Sequence, residues 1–362
     1  MAVTATAARN PDGALLRIAR RRDQPGGASS ISGTGWSRSP WSWARPAGAA
    51  ITLAVVVWRL GAGPFLDGVR AVDGRALAAA AAIGLMTTLC CAWRWTVVAR
   101  GLGVRLSLPV AVAAYYRSLF LNLTLPGGVV GDVHRGVSHG RDVDDVGRGL
   151  RAVAWERAAG QVVQVVITVA VLMALPSPVR SSMPLVAVAL AATLIVAVLV
   201  GRVRPRGGRS RWARLRNAMA GDVRDGLRTR RALPAIVLAS TVVVIGHAVT
   251  LVIAARTAGT TAPLSRMLPL ALLAMMAMVL PSLAGWGPRE GATAWVFGAA
   301  GLGAGQGVAT AVVYGVMVLV ASLPGAVVLV AVWLRRARPA VQREPLPARI
   351  RVVSRSEGAA DA

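Results

Sequence analysis

Six stretches of the chain stay apolar over about the 20 residues that a helix needs to cross a bilayer. They are 46–62, 76–99, 152–175, 184–201, 233–255 and 308–334, and each predicts a spanning helix. Two further apolar stretches depart from this pattern. Stretch 108–126 carries Arg117 and Asn122 and is bracketed by Pro109 and Pro126. Stretch 268–281 has only 11 residues between Pro269 and Pro281. An apolar run of about 10–14 residues suits a segment that enters the bilayer and turns back.

The polar positions test this. Residues 1–45 hold seven Arg against two acids, 202–232 eleven against two, and 335–362 seven against three. Loops 63–75, 176–183 and 256–263 hold two, one and one Arg. Arg-rich segments stay on the cytoplasmic side, so both termini and the 202–232 linker are expected there. That arrangement follows if 108–126 enters from the cytoplasm and returns, and if 264–302 enters from the outer face and returns. The fold class predicted is an all-α polytopic membrane bundle of six full spans and two opposed re-entrant hairpins, the layout of an inverted-repeat transporter. Three regions result: a disordered basic cytoplasmic tail over 1–45, a membrane domain over 46–334, and a second disordered cytoplasmic tail over 335–362. Within 202–232, Trp212, Leu215, Met219, Val223 and Leu227 recur at helical spacing among arginines. This segment is either a basic amphipathic helix on an anionic lipid surface or a basic loop that only sets topology.

Composition supports lipid as the solvent. Hydrophobic residues make up 55% of the 362, above the roughly 45–50% of soluble domains. The formal net charge of +26 would suggest nucleic acid in a soluble domain, but here it lies in tails and loops between apolar runs. No nucleic-acid partner is expected. Cys90 and Cys91 are the only cysteines. Adjacent and inside an apolar run, they predict small buried side chains rather than a disulfide framework or a metal site.

Three clusters carry candidate chemistry. In Leu125–Arg135, Pro126, Gly127, Gly128 and Gly131 break the helix, and Asp132, His134 and Arg135 follow. Broken backbone at membrane depth persists only where protein or water satisfies its polar groups. The segment lacks the spacing of a nucleotide-binding loop. Glu156 and Arg157 begin the third long span. Neighbours on a helix point about 100° apart, so Glu156 is expected to meet Arg135 or Arg117, and Arg157 to meet Asp132. The alternative is that both are charges snorkelling to the interface. In Leu280–Glu290 the same grammar returns: Pro281, then Gly285 and Gly287, then Arg289 and Glu290. Arg94, between Trp93 and Trp95, is expected to anchor the membrane interface. His247 is expected to make a packing hydrogen bond. His134 and His139 lack the spacing and carboxylates of a zinc site, and no cofactor is called for.

In this order and spacing the clusters resemble the lysylphosphatidylglycerol synthase transmembrane-region family, a group of flippase-like integral membrane proteins. The family pattern is an aromatic-containing helix with an Asn, then Pro-Gly-x-x-Gly-Gly-Asp-x-x-Arg, then Glu-Arg, and later Pro-x-x-x-Gly-x-Gly-x-Arg-Glu. The matching positions are Tyr116 through Asn122; Pro126, Gly127, Gly131, Asp132 and Arg135; Glu156 and Arg157; and Pro281, Gly285, Gly287, Arg289 and Glu290. Val130 stands where the family carries another Gly. The resemblance implies flipping of an anionic phospholipid or lipid-linked glycan headgroup in the plasma membrane. The alternative it leaves is a non-transporting partner of a glycosyltransferase or lipid synthase. No soluble lysyl-transferase domain follows the membrane part, so an enzyme is not expected. Arg117, Arg135, Arg157 and Arg289 would offer bidentate contacts to a lipid phosphate, steadied by Asp132, Glu156 and Glu290, with Asn122, Gly127, Gly128, Gly131, Gly285 and Gly287 shaping the site.

Overall fold

The computed structural model describes residues 51–190, 192, 217–223, 232–279 and 286–337, apart from 52, 53, 56 and 60. Both expected tails, except for residues 335–337, lie outside the described residues. So do most of the linker, the second half of stretch 184–201, and Gly285. Among the described residues the regular elements are helices: α1 (Gly63–Ala71), α2 (Gly74–Gly101), α3 (Leu108–Thr124), α4 (Val130–Asp142), α5 (Val146–Ala174), α6 (Ala232–Thr257), α7 (Leu264–Met276), α8 (Pro288–Ala299) and α9 (Ala304–Ala337).

Four of these, α2, α5, α6 and α9, are long and apolar enough to cross a membrane. Each coincides with one of the six expected spans. In 46–62 the described residues Ile51, Ala54, Val55, Val57, Trp58 and Arg59 are helical, and a short helix covers Arg180–Leu190. Asp73 starts α2 by accepting from the Ala76 backbone N–H at 2.6 Å, and Asp145 starts α5 by accepting from Arg148 N–H at 2.8 Å. Each side chain satisfies a donor that the first helical turn leaves unpaired.

The two odd stretches form short helix pairs. α3 has 17 residues and α4 13, while α7 has 13 and α8 12. At 1.5 Å per residue, α4, α7 and α8 reach only about 18–20 Å against a hydrocarbon core of about 30 Å. α3 leads into α4 through the Pro126-Gly127-Gly128 break, and α7 runs on into a 3₁₀ turn at Ala277–Val279.

Packing fixes how these pairs are oriented. Cys91, Trp95 and Val98 near the end of α2 share a core with Ile236 at the start of α6, and with Ala111, Tyr115, Ala152 and Val153. Ala76 and Ala80 at the start of α2 share a second core with Leu251 and Ala254 at the end of α6, and with Ala271, Ala274, Val313, Tyr314 and Met317. α2 and α6 are therefore antiparallel. The first pair departs from the C-terminal end of α2 and the second from the C-terminal end of α6, so the two pairs enter from opposite ends of the bundle. α5 returns from the first end and α9 from the second. The order helix, broken pair, helix thus occurs twice with inverted sense. Two broken pairs entering from opposite ends were expected from the Arg distribution along the chain.

Candidate functional site

The first break is built around one carboxylate. Glu156 on α5 is completely buried. One of its oxygens accepts from Arg94 Nε at 3.0 Å and from Arg94 Nη2, and Tyr115 donates to the same oxygen at 3.4 Å. The other oxygen accepts from Arg135 Nη2 at 3.0 Å. Arg135 also donates to Asp132 at 3.0 Å, and its guanidinium lies 4.5 Å from the Trp95 ring centre and 4.3 Å from that of Tyr115. Contact with ring faces offsets part of the desolvation of a buried cation. With 1% of its surface exposed, Arg135 holds helices together and is closed to a ligand.

Asp132, in the first turn of α4, accepts from Ser118 Oγ at 3.0 Å, Asn122 Nδ2 at 3.1 Å and Arg157 at 2.7 Å. Asn122 completes the link by accepting from Gly131 N–H at 2.8 Å. A Cβ on Gly131 would meet the Ser118 backbone, so this position brings α4 against α3. Gly127 and Gly128 have φ of 101° and 67°, a region that favours glycine. Both partnerships expected from the sequence occur: Glu156 with Arg135, and Arg157 with Asp132. Arg117 is half-buried on α3 and does not line the cavity described below. Val130 is exposed and opens α4 with a negative φ, so the missing family glycine leaves the backbone path intact.

Arg94 corrects the sequence reading. It is 4% exposed, pairs with Glu156 and donates to Ser240 Oγ on α6 at 2.9 Å. Trp93 faces outward at 37% exposure while Trp95 is 1% exposed. The turn of the helix therefore separates two residues that looked like one interfacial belt. The seat of the Arg94 guanidinium is Gly160, where a Cβ would come within 2.8 Å of it.

The second break is closed locally. Glu290 is buried; it accepts from Gly287 N–H at 2.6 Å and from Arg289 Nε at 2.9 Å. Gly287, with φ of 112°, caps α8, and Pro288 follows as its first residue. Arg289 lies 5.4 Å from the Trp286 ring centre and 5.6 Å from that of Tyr314. It rests on Gly315, where a Cβ would overlap it. The hydroxyl of Tyr314 is 3.1 Å from His247 Nδ1, the packing contact expected for that histidine.

Both breaks face one open cavity of about 310 Å³ lined by residues of α2, α3, α5, α6, α7, α8 and α9. Asn122, Gly128 and Arg157 line it from the first half, and Arg289, Tyr314 and His247 from the second. At the first break Arg94, Arg135 and Arg157 face Asp132 and Glu156, an excess of one positive charge among the paired groups. Arg94 and Arg157 of this network both line the cavity, and Arg157, with 38% of its side chain exposed, is the more exposed of the two. On the side away from the cavity, Arg151 and Trp155 donate to Asp222 of the linker at 2.8 and 3.2 Å.

The family model described as the lysylphosphatidylglycerol synthase TM region matches residues 42–325. The comparison with curated proteins returns no match. The chain belongs to the lysylphosphatidylglycerol synthase TM-region family and is an integral membrane protein.

Proposed function

We propose that this family member moves the headgroup of an anionic phospholipid or lipid-linked glycan through the bundle, without covalent chemistry on it. The observation that carries this reading is that two broken helix pairs, entering from opposite ends, present Arg157 and Arg289 to the same cavity. Broken helices meeting at a shared polar cavity are the usual pointer to a transport site between inverted repeats. A guanidinium gives a lipid phosphate two parallel hydrogen bonds. In this reading the protein sits in the plasma membrane with both tails cytoplasmic, Arg157 accepts headgroups arriving from one end, and Arg289 accepts those from the other.

The test is redistribution of a labelled anionic lipid between leaflets of liposomes carrying the purified protein. Arg157→Gln and Arg289→Gln are each expected to slow redistribution about tenfold or more, consistent with loss of charge-assisted hydrogen bonds of about 1.5–3 kcal/mol. Equal rates in protein-containing and protein-free liposomes end the translocation reading.

One contact favours a second reading. The tie from Asp222 to Arg151 and Trp155 fixes part of the basic linker beside the first break, which suits a surface for a membrane-bound glycosyltransferase or lipid synthase. Recovery of such an enzyme in fixed ratio with the chain, together with no effect of Arg157→Gln on lipid composition, would favour it.

A further inference from the structure

Each half of the bundle ties its first helix to its last through a basic side chain, and the two ties differ in kind. In the first half Arg94 of α2 pairs with Glu156 of α5. In the second, His247 of α6 meets the Tyr314 hydroxyl of α9, with Nδ1 and Oη 3.1 Å apart. An arginine keeps its charge at any physiological pH, whereas a histidine gains and loses its proton near neutrality. The first tie is therefore fixed, and the second can change charge.

The contact with Tyr314 tolerates both states of His247. A hydroxyl donates to the bare nitrogen of a neutral imidazole and turns to accept from an imidazolium. The surroundings decide which state prevails. His247 lines the central cavity. Of the helices packed against α6, α2 contributes Cys91 and Arg94 to that lining, α5 Arg157 and α9 Tyr314, while the α7 residue there, Met275, is uncharged. Across the cavity α3 adds Tyr115 and α8 Arg289. No carboxylate among the described residues joins this lining, because Asp132, Glu156 and Glu290 are held by arginines. His247 thus shares the space with three guanidinium groups and no anion. A further positive charge is disfavoured there until an anion enters beside it.

We infer that His247 is a proton-binding site coupled to the anionic ligand of the cavity: the imidazole is neutral while no anion is bound and takes up one proton as a phosphate binds, so that a proton is carried with each headgroup. This rests on the cavity being the lipid-phosphate site proposed above. The proton comes from water on the loading side and returns to water on the releasing side, and no covalent bond of the lipid changes. Because linkage is reciprocal, acid tightens phosphate binding just as phosphate tightens proton binding. Affinity rises as pH falls, by up to about tenfold per pH unit between the proton affinities of the unliganded and liganded protein, and is flat outside that interval.

Calorimetry of dioctanoyl phosphatidylglycerol binding to the purified full-length protein in neutral detergent tests this. Runs in buffers of low and high ionisation enthalpy count the protons taken up per lipid bound. The phosphodiester keeps its charge across the neutral range, so any uptake belongs to the protein. The expected result is net proton uptake near neutrality and binding about tenfold tighter at pH 6 than at pH 8. His247→Asn keeps an amide facing Tyr314 and cannot gain a proton; it is expected to bind with no uptake and with equal affinity at the two pH values. Wild-type heats that do not depend on the buffer overturn the inference, whether or not the variant folds. So does uptake that persists in His247→Asn. Absence of saturable binding removes the lipid site and the proton site together.

Liposomes separate the two readings. Acid on the loading side is expected to speed redistribution of labelled phosphatidylglycerol severalfold in the wild type and to leave His247→Asn unaffected. Redistribution indifferent to a pH gradient in the wild type overturns the coupling and keeps translocation. Proton-linked binding without any redistribution removes translocation and keeps the proton site.

Discussion

At the first break three arginines share two carboxylates drawn from α2, α4 and α5, whereas at the second one arginine pairs with the carboxylate beside it in sequence. Glu156 cannot find its partners until α2, α4 and α5 have packed. Glu290 finds its own within one turn, because it reaches back over the start of α8 to Gly287 and Arg289. The motif grammar is the same, Pro, glycines, then charge, but the first cluster clamps helices together and the second is a helix cap that also aims a guanidinium. Glu156 and Arg157 diverge on a regular helix. Arg289 and Glu290 meet because they lie at a helix start, where a side chain can fold back onto the cap.

The largest effect expected from this contrast follows neutralising each carboxylate. Glu156→Gln leaves Arg94, Arg135 and Arg157 with Asp132 as their one anion, and removing a partner from a buried ion pair costs about 3–5 kcal/mol. Glu290→Gln keeps an acceptor oxygen for Gly287 and leaves Arg289 beside the cavity, so a loss of about 1.5–3 kcal/mol is expected, the worth of hydrogen bonds to a charged group. Denaturant unfolding in detergent, followed by Trp fluorescence, compares the two. Equal losses would mean that the second pair also clamps the bundle.

The glycine seats sharpen the comparison further. A Cβ at Gly160 presses on Arg94, which Glu156 and Ser240 hold in place. At Gly315 it presses on Arg289, which has the cavity to move into. Overpacking of this kind costs about 1–3 kcal/mol where neighbours cannot yield. Gly160→Ala is expected near the top of that range and Gly315→Ala near the bottom. If the cavity is the lipid path proposed above, lipid redistribution should rank them the other way among variants that remain folded, because Gly315→Ala displaces Arg289 of the cavity lining. The same order in both assays would remove the distinction between clamp and presenter.

Much of this was legible in the sequence, and the illegible parts share a cause. The four long spans were visible because a bilayer imposes a length on apolar runs. The broken pairs were visible because Pro126, Gly127 and Gly128 fall together after α3, Gly287 and Pro288 mark the start of α8, and the Arg distribution left one consistent way to thread them. The partners of Glu156 and Arg157 were within reach because the candidates lay in nearby motifs. Arg94 was missed. Its flanking tryptophans imitate an interfacial belt, and its partners lie 62 and 146 residues away on α5 and α6. A signal was present: Cys91, Arg94, Trp95 and Val98 recur at three- and four-residue spacing, the period of one helix face, and all are buried. The roles of Gly160 and Gly315 were out of reach, since a glycine that seats a guanidinium from another helix has no local sequence mark. Arg117 lies on the same helix as Tyr115 and Asn122, which line the cavity, but is not itself part of the lining.

The smallest effect is expected at Val130, where the chain departs from its family at the break that is otherwise most constrained. If the family glycine supplied a left-handed backbone, Val130→Gly would relieve strain and stabilise the protein. Val130 instead opens α4 with a negative φ and 41% of its surface exposed, so there is no strain to relieve. Glycine at a helical position costs roughly 0.5–1 kcal/mol through lost backbone entropy, and the first turn should sit at the low end. The expected result is a slight destabilisation by Val130→Gly with redistribution unchanged within about twofold, the latter corresponding to less than about 0.5 kcal/mol. A severalfold gain in redistribution would show that a more pliable first break speeds transport, and that this half of the molecule moves where the ionic clamp says it holds still.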